Sequence, residues 1–194
     1  MRIGVLALQG AVTEHIVSIE KTGAVGVAIK RVEQLEDVQG LIIPGGESTT
    51  IGKLMRKYGF IEAIRNFSDQ NKPIFGTCAG MIVLAKVISG GEQGHLELMD
   101  ITVARNAFGR QRESFECDLE VKGISAPVRA VFIRAPLIEM VGPGVEVLTV
   151  YKDEIVTARQ GHLLAASFHP ELTDDYRLHQ YFADMVMASM ATEQ

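Results

Sequence analysis

A chain of 194 residues, 47% hydrophobic and 22% charged, fits one globular domain that buries a full core. A net charge of −5 and the lack of any Lys/Arg run argue against a nucleic-acid surface or a polybasic membrane patch, and no stretch approaches the ~20 apolar residues of a membrane span. Two cysteines, Cys78 and Cys117, exclude a disulfide framework, and without a matching His pair they make no zinc site.

In chain order, Arg2 to Leu8 reads as a strand closed by Gln9-Gly10, and Ala11 to Thr22 as an amphipathic helix stopped by Gly23. Gly26 to Arg31 and Gly40 to Ile43 are short β-branched runs, the second ending in Pro44-Gly45-Gly46 and leading into a helix over Thr49 to Tyr58. A helix over Ile61 to Asn71 follows, then a compact strand at Pro73-Ile74-Phe75, then an apolar helix from Met81 to Val87. This alternation predicts a doubly wound, parallel α/β sheet. Beyond Gly90-Gly91 the strand-like runs around 101–104, 115–121, 128–133, 147–151 and 155–160 have no long helix between them and predict an antiparallel or mixed addition. Leu163 to Phe168 is the last strand, and Leu178, Tyr181, Phe182, Met185 and Val186 recur at helical spacing on a closing helix. No linker or repeat splits residues 1–194, and the start lacks a signal-peptide pattern, so one cytoplasmic domain is expected.

The chemistry concentrates at three turns. Gly76-Thr77-Cys78-Ala79-Gly80 has the form of a nucleophile elbow between a strand and a helix. Its glycines let the chain pass closely around a strained nucleophile, and the helix start favours the reactive thiolate. Cys117 alternates with Glu116 and Asp118 and faces inward as core packing. A cysteine nucleophile needs a base. Ser167-Phe168-His169-Pro170-Glu171 offers His169 where a strand ends, and in extended backbone Glu171, two residues on, points to the same side and orients the imidazole. In an open parallel sheet both sites fall on the edge made by the strand C-termini. His15, His95, His162 and His179 lack such a context and read as structural. The third turn, Pro44-Gly45-Gly46-Glu47-Ser48, fails as a phosphate loop, because Gly46 to Gly52 is a residue too long and Leu54 follows Lys53 where a Ser or Thr belongs. It can instead aim a backbone N–H at the same edge as an oxyanion donor.

Together these segments match the class I, triad-type glutamine amidotransferases in kind, order and spacing. Ala7-Leu8-Gln9-Gly10, Gly45-Gly46-Glu47-Ser48-Thr49-Thr50, the segment Arg105 to Gln111 and Phe132-Ile133-Arg134-Ala135-Pro136 narrow the resemblance to the glutaminase subunits of pyridoxal 5′-phosphate synthases. The resemblance implies a flavodoxin-like three-layer α/β/α sandwich with a mostly parallel central sheet and an antiparallel addition in its second half. It further implies a Cys78-His169-Glu171 triad and glutamine contacts from Gly46, Glu47, Ser48, Arg105, Ile133 and Arg134. Arg105 suits the substrate carboxylate and Glu47 its ammonium. The backbone N–H groups of Gly46 and Ala79 would form the oxyanion hole, and Gln9 and Gly45 would lie at a partner-coupled switch. L-glutamine is the implied substrate and a (β/α)8-barrel synthase subunit the implied partner, with no cofactor, metal, nucleic acid or membrane.

Two other readings fit parts of the pattern. One is the glutaminase of another pathway, such as imidazole glycerol phosphate synthase, or a stand-alone γ-glutamyl hydrolase. The other is a non-catalytic flavodoxin-like module whose Cys78 senses oxidation, which leaves His169 and Glu171 without a task.

Overall fold

The computed structural model of the chain describes residues 1–106, 108 and 114–194. Ala107 and the 109–111 part of the Arg105 to Gln111 segment lie outside the described residues. The first half alternates β1 (Arg2–Leu6), α1 (Val12–Lys21), β2 (Val25–Ile29), β3 (Gly40–Ile43), α2 (Ser48–Lys57), α3 (Phe60–Asp69), β4 (Ile74–Thr77) and α4 (Ala79–Leu84). A 3-10 helix over Val32–Asp37 lies between β2 and β3. The second half runs β5 (Ala85–Ile88), β6 (Met99–Ala104), β7 (Ser114–Leu119), β8 (Val128–Ile133), β9 (Leu137–Val141), β10 (Glu146–Tyr151), β11 (Glu154–Gln160), β12 (Leu163–Ala166) and α5 (Arg177–Thr192).

The main sheet has the order β2-β1-β3-β4-β12-β11-β9-β6-β5, with β10 beside β11. From β2 to β12 every pairing is parallel. This is the 2-1-3-4-5 order of the flavodoxin-like fold, with β12 as the fifth strand. Beyond β12 the pairings with β11, β9 and β6 are antiparallel, and β6–β5 is parallel again. The antiparallel pair β7–β8 forms a separate ribbon.

Alternation along the central strands fills two cores. Leu41, Ile43, Ile74, Leu163 and Ala165 face a cluster with Ile51 and Met55 of α2, Phe60, Ile64 and Phe67 of α3, and Met81 and Leu84 of α4. Their neighbours Ile42, Phe75, Leu164 and Ala166 face a second cluster with Ile19 of α1, Phe182 and Val186 of α5, and Leu119, Val128 and Phe132 of the ribbon. Covered on both faces, β3, β4 and β12 are buried along their whole length, which is why they read as unbroken apolar runs.

The structure corrects the helix expected over Met81 to Val87. It ends at Leu84, and Ala85–Ile88 turns into β5, with Val87 opposite Thr102 and Ile88 opposite Val103 of β6. A short apolar run carries no periodicity that separates helix from strand, and sheet pairing decides it. Cys117 lies on β7 opposite Ala130, half-buried against the second core, and burial pushes its thiol above the ordinary range. On the outer face Arg129 bonds Glu116 at 2.9 Å and Asp118 at 3.3 Å.

Candidate active site

Four parallel strands deliver one functional segment each to the same edge of the sheet. Gln9 follows β1, Gly45 to Ser48 follow β3, Cys78 follows β4 and His169 follows β12. Strand order reverses between β1 and β3, the position at which open α/β sheets bind ligands.

Cys78 occupies a strained turn, with φ 51° and ψ −114°, and its N–H is held by Ala166 O of β12 at 2.9 Å. Strain of this kind persists only where the surroundings fix it. Here glycines fix it: a β-carbon at Gly76 would run into the carbonyl of Gly80, and one at Gly80 into the carbonyl of Ile43. A β-carbon at Gly45 would lie 2.8 Å from His169 Cε1 and 3.3 Å from Cys78 Cβ, so the β3 turn also presses on both members of the pair. Ala79, the first residue of α4, has an N–H for which the helix supplies no acceptor.

His169 Nδ1 and Glu171 Oε1 are 2.6 Å apart, and the His169 N–H donates to Val131 O of β8 at 2.8 Å. The contact forms, but not on extended backbone as expected. His169 has ψ 88°, and Pro170–Leu172 is a single 3-10 turn that folds the carboxylate back beneath the ring. Burial opposes a charge on His169, yet hydrogen bonds to Cys78 and Glu171 outweigh it and raise its pKa to about 10. A ring so biased toward its charged form, between a sulfur and a carboxylate, is suited to steady negative charge on the sulfur and later to release a proton.

A cleft of about 560 Å³ opens over Cys78 and His169. It is lined by Gln9, Gly46, Glu47 and Ser48 from the turns after β1 and β3, by Ala79 and Ile82 of α4, and by Arg105, Asn106, Ile133, Arg134 and Pro136. The expected residues thus converge, with Glu171 behind the ring. The Glu47 carboxylate caps α2: Oε1 accepts from Thr49 N at 3.1 Å, and Oε2 from Thr50 N at 2.7 Å and Thr50 Oγ1 at 2.8 Å. Desolvation pushes its pKa up, but these bonds outweigh it and hold the value at about 2. Arg105 spans the mouth, bonding Glu47 at 2.8 Å and Glu92 at 2.6 Å. Glu47 N donates to Gln9 Oε1 at 2.6 Å, which ties the β3 turn to the loop after β1.

Behind Glu171 lie two buried histidines whose sequence context is only that of structural residues. His15 Nδ1 of α1 and His179 Nε2 of α5 are 2.9 Å apart, and His15 Nε2 is 3.3 Å from Thr77 Oγ1 and 3.5 Å from Glu171 Oε2. The available signal was a histidine on an inward helical stripe, His15 beside Ile19 and His179 beside Leu178 and Phe182, since a buried ring nitrogen requires a polar partner. Burial lowers both pKa values, that of His179 to about 4 and that of His15 well below its usual range, with His179 and His169 lowering the latter further. The unfolded chain therefore takes up protons below its ordinary histidine range while the folded chain does not, and stability falls as pH drops from about 6.5 toward 4. Urea unfolding between pH 7 and pH 4.5 is expected to show this loss, with a shallower slope for His179→Leu. Parallel curves for the two proteins would remove His179 as a source.

Comparison with known proteins gives a consistent picture. A family model described as the SNO glutamine amidotransferase family matches residues 5–188. The chain is 72% identical over 186 residues to a protein of Niallia circulans named pyridoxal 5′-phosphate synthase subunit PdxT, covering 96% of this chain and 98% of that one. It is 61% identical over 194 residues to a protein of the same name from Halalkalibacterium halodurans, covering 100% and 99%. Among solved structures, one described as the crystal structure of a glutamine amidotransferase superposes with a TM-score of 0.91 at 50% identity, covering 95% of this chain and 98% of the other. A protein of Thermoplasma acidophilum described as a GMP synthase component shares the fold, with a TM-score of 0.68 at 15% identity over 100% and 96% of the chains. A match along nearly the whole chain, on a sheet whose one edge gathers cysteine, histidine and carboxylate, makes this protein a member of the SNO glutamine amidotransferase family.

Proposed function

We propose that this chain is the glutaminase subunit of a pyridoxal 5′-phosphate synthase, hydrolysing L-glutamine to glutamate and ammonia and supplying the ammonia to the synthase subunit for vitamin B6 synthesis. The observation that carries this reading is near-full-length identity to subunits of that name, joined to a cysteine and a carboxylate-bound histidine that line one polar cleft. Residues 1–194 act as one domain, at work in the cytoplasm. Among the described residues no helix is long and apolar enough to cross a membrane.

In this mechanism the Cys78 sulfur attacks the γ-amide carbon, and His169 gives its proton to the departing ammonia, leaving a γ-glutamyl thioester. His169 then takes a proton from water, which attacks the thioester and releases glutamate. Glu171 keeps Nδ1 protonated so that Nε2 exchanges the proton in both halves. Backbone N–H groups of Gly46 and Ala79 stabilise the oxyanion in each half. Ser48, Arg105, Ile133 and Arg134 bind the amino-acid end of the substrate. Glu47 shapes this wall as cap and tether, and its acidity suits it to attract the substrate ammonium. No cofactor takes part in this subunit. The partner is a (β/α)8 barrel, and Gln9 and the Gly45-Gly46 turn face it as a switch that sets the oxyanion hole.

The test is ammonia release from glutamine by the chain alone and with its synthase subunit. Low release alone and a large rise in the complex are expected. Full activity of the lone chain would favour a stand-alone hydrolase and remove the switch.

A further inference from the structure

We infer that His15 is a positioning residue of the glutaminase, anchoring Glu171 through Nε2–H and thereby fixing the base His169. This rests on the glutaminase reading above. The Glu171 side chain has no solvent exposure, and its two oxygens have unequal surroundings. Oε1 takes His169 Nδ1 at 2.6 Å. Oε2, equally buried, makes no hydrogen bond to any described residue and faces His15 Nε2 at 3.5 Å. A carboxylate oxygen held from water without a donor is costly, and a shift of about 0.5 Å brings this pair to ordinary N–H···O length.

Tautomer logic supports the assignment. With the proton on His15 Nε2, Nδ1 is an acceptor, and His179 Nε2 donates to it at 2.9 Å. This leaves His179 Nδ1 as a bare acceptor, and among the described residues it has no partner, a smaller cost than an orphaned N–H. The opposite tautomer sets a nitrogen lone pair against Oε2. The groups that face His15 are Thr77 from β4, Glu171 and His169 from the turn after β12, and His179 from α5. Glu171 is the only acidic side chain among them, so a neutral N–H steadies it without cancelling the charge that His169 requires. The contact with Thr77 extends the effect, because Thr77 precedes the nucleophile. One ring thus touches both the elbow and the orienter, and sets the spacing of Cys78 and His169.

The test compares wild type, His15→Leu and His15→Gln, each in complex with the synthase subunit. His15→Leu is expected to lower kcat about 10- to 100-fold, because the base loses its fixed orientation while the substrate contacts stay, with KM within about twofold. The acid limb of kcat/KM should move to higher pH, because a carboxylate that loses a donor takes up a proton more readily. His15→Gln, whose amide N–H reaches the same place as Nε2, should recover most of kcat and the wild-type pH profile. His179→Leu, which frees the His15 tautomer, should show the same signature in weaker form and carries the test if His15→Leu does not fold. The rate of Cys78 alkylation by iodoacetamide against pH, followed by peptide mass, needs no glutamine and should move in the same direction. That separates this inference from the assignment of glutaminase activity: a wild-type complex inert on glutamine overturns the latter, while the alkylation profile still reports on His15. Wild-type kcat in His15→Leu, equal losses for Leu and Gln, a loss confined to KM, or superimposed alkylation profiles would overturn it.

Discussion

The Cys78→Ala protein is expected to release ammonia from glutamine at least about 10⁴-fold more slowly than wild type, with His169→Asn losing nearly as much. In the proposed mechanism the first removes the atom that bonds the substrate carbon. The second, in the same mechanism, leaves the leaving group without its proton and the sulfur without the ring that hydrogen bonds to Cys78 and Glu171 bias toward its charged form. The effects should not add, because neither group works without the other. Glu171→Gln should cost less, as it keeps the ring in place while losing the charge. Cys117→Ala is the control, for its thiol lies on the ribbon opposite Ala130 and outside the cleft. The Cys78→Ala complex should still make pyridoxal phosphate from added ammonium salt, though not from glutamine. Residual glutaminase activity above about 1% in Cys78→Ala, or equal loss in Cys117→Ala, would remove Cys78 as nucleophile.

For Gly46→Ala a fall in kcat of about 10²- to 10³-fold in the complex is expected, the usual consequence of losing one oxyanion donor. Gly46 has φ 138°, a conformation that L side chains rarely adopt, and a β-carbon there would run into Gln9 Oε1. The substitution therefore both twists the turn and breaks its tie to Gln9. Cys78 alkylation should stay near wild type, since the thiol and His169 are untouched. Gly59→Ala separates strain from catalysis: Gly59 has φ 78° with open space around it, so the change should cost about 1 kcal/mol of stability and leave kcat alone. Normal kcat for Gly46→Ala would place the oxyanion donors elsewhere.

The parallel half of the fold was legible because strands buried on both faces are short apolar runs punctuated by glycine, and each turn carries a residue with few structural uses. The second half was less legible. β9 was missed because Glu139 and Met140 face outward in a strand that joins β6 to β11, which gives no clean alternation. The 3-10 helix over Val32–Asp37 is polar and held by Gln34 reaching back to the Lys30 and Arg31 amides, a bond that no hydrophobic period announces. At the site, Cys78, His169 and Glu171 stood out by type and turn context. His15 did not, because its meaning lies in Thr77, Glu171 and His179, which reach it from three other elements.

The position of β12 has a consequence for the newly made chain. The strand that leads to His169 inserts beside β4, which leads to Cys78, with Ala166 opposite Thr77 and almost ninety residues of chain between them. Until that segment has been synthesised, β4 is paired on one side only, by β3, the Cys78 amide lacks the Ala166 carbonyl and the thiol lacks His169. Closing so long a loop is a late event in folding. In the proposed mechanism a chain that stops before β12 therefore carries Cys78 without the residue assigned as its base, so glutamine hydrolysis is expected only once residues 163–169 are in place.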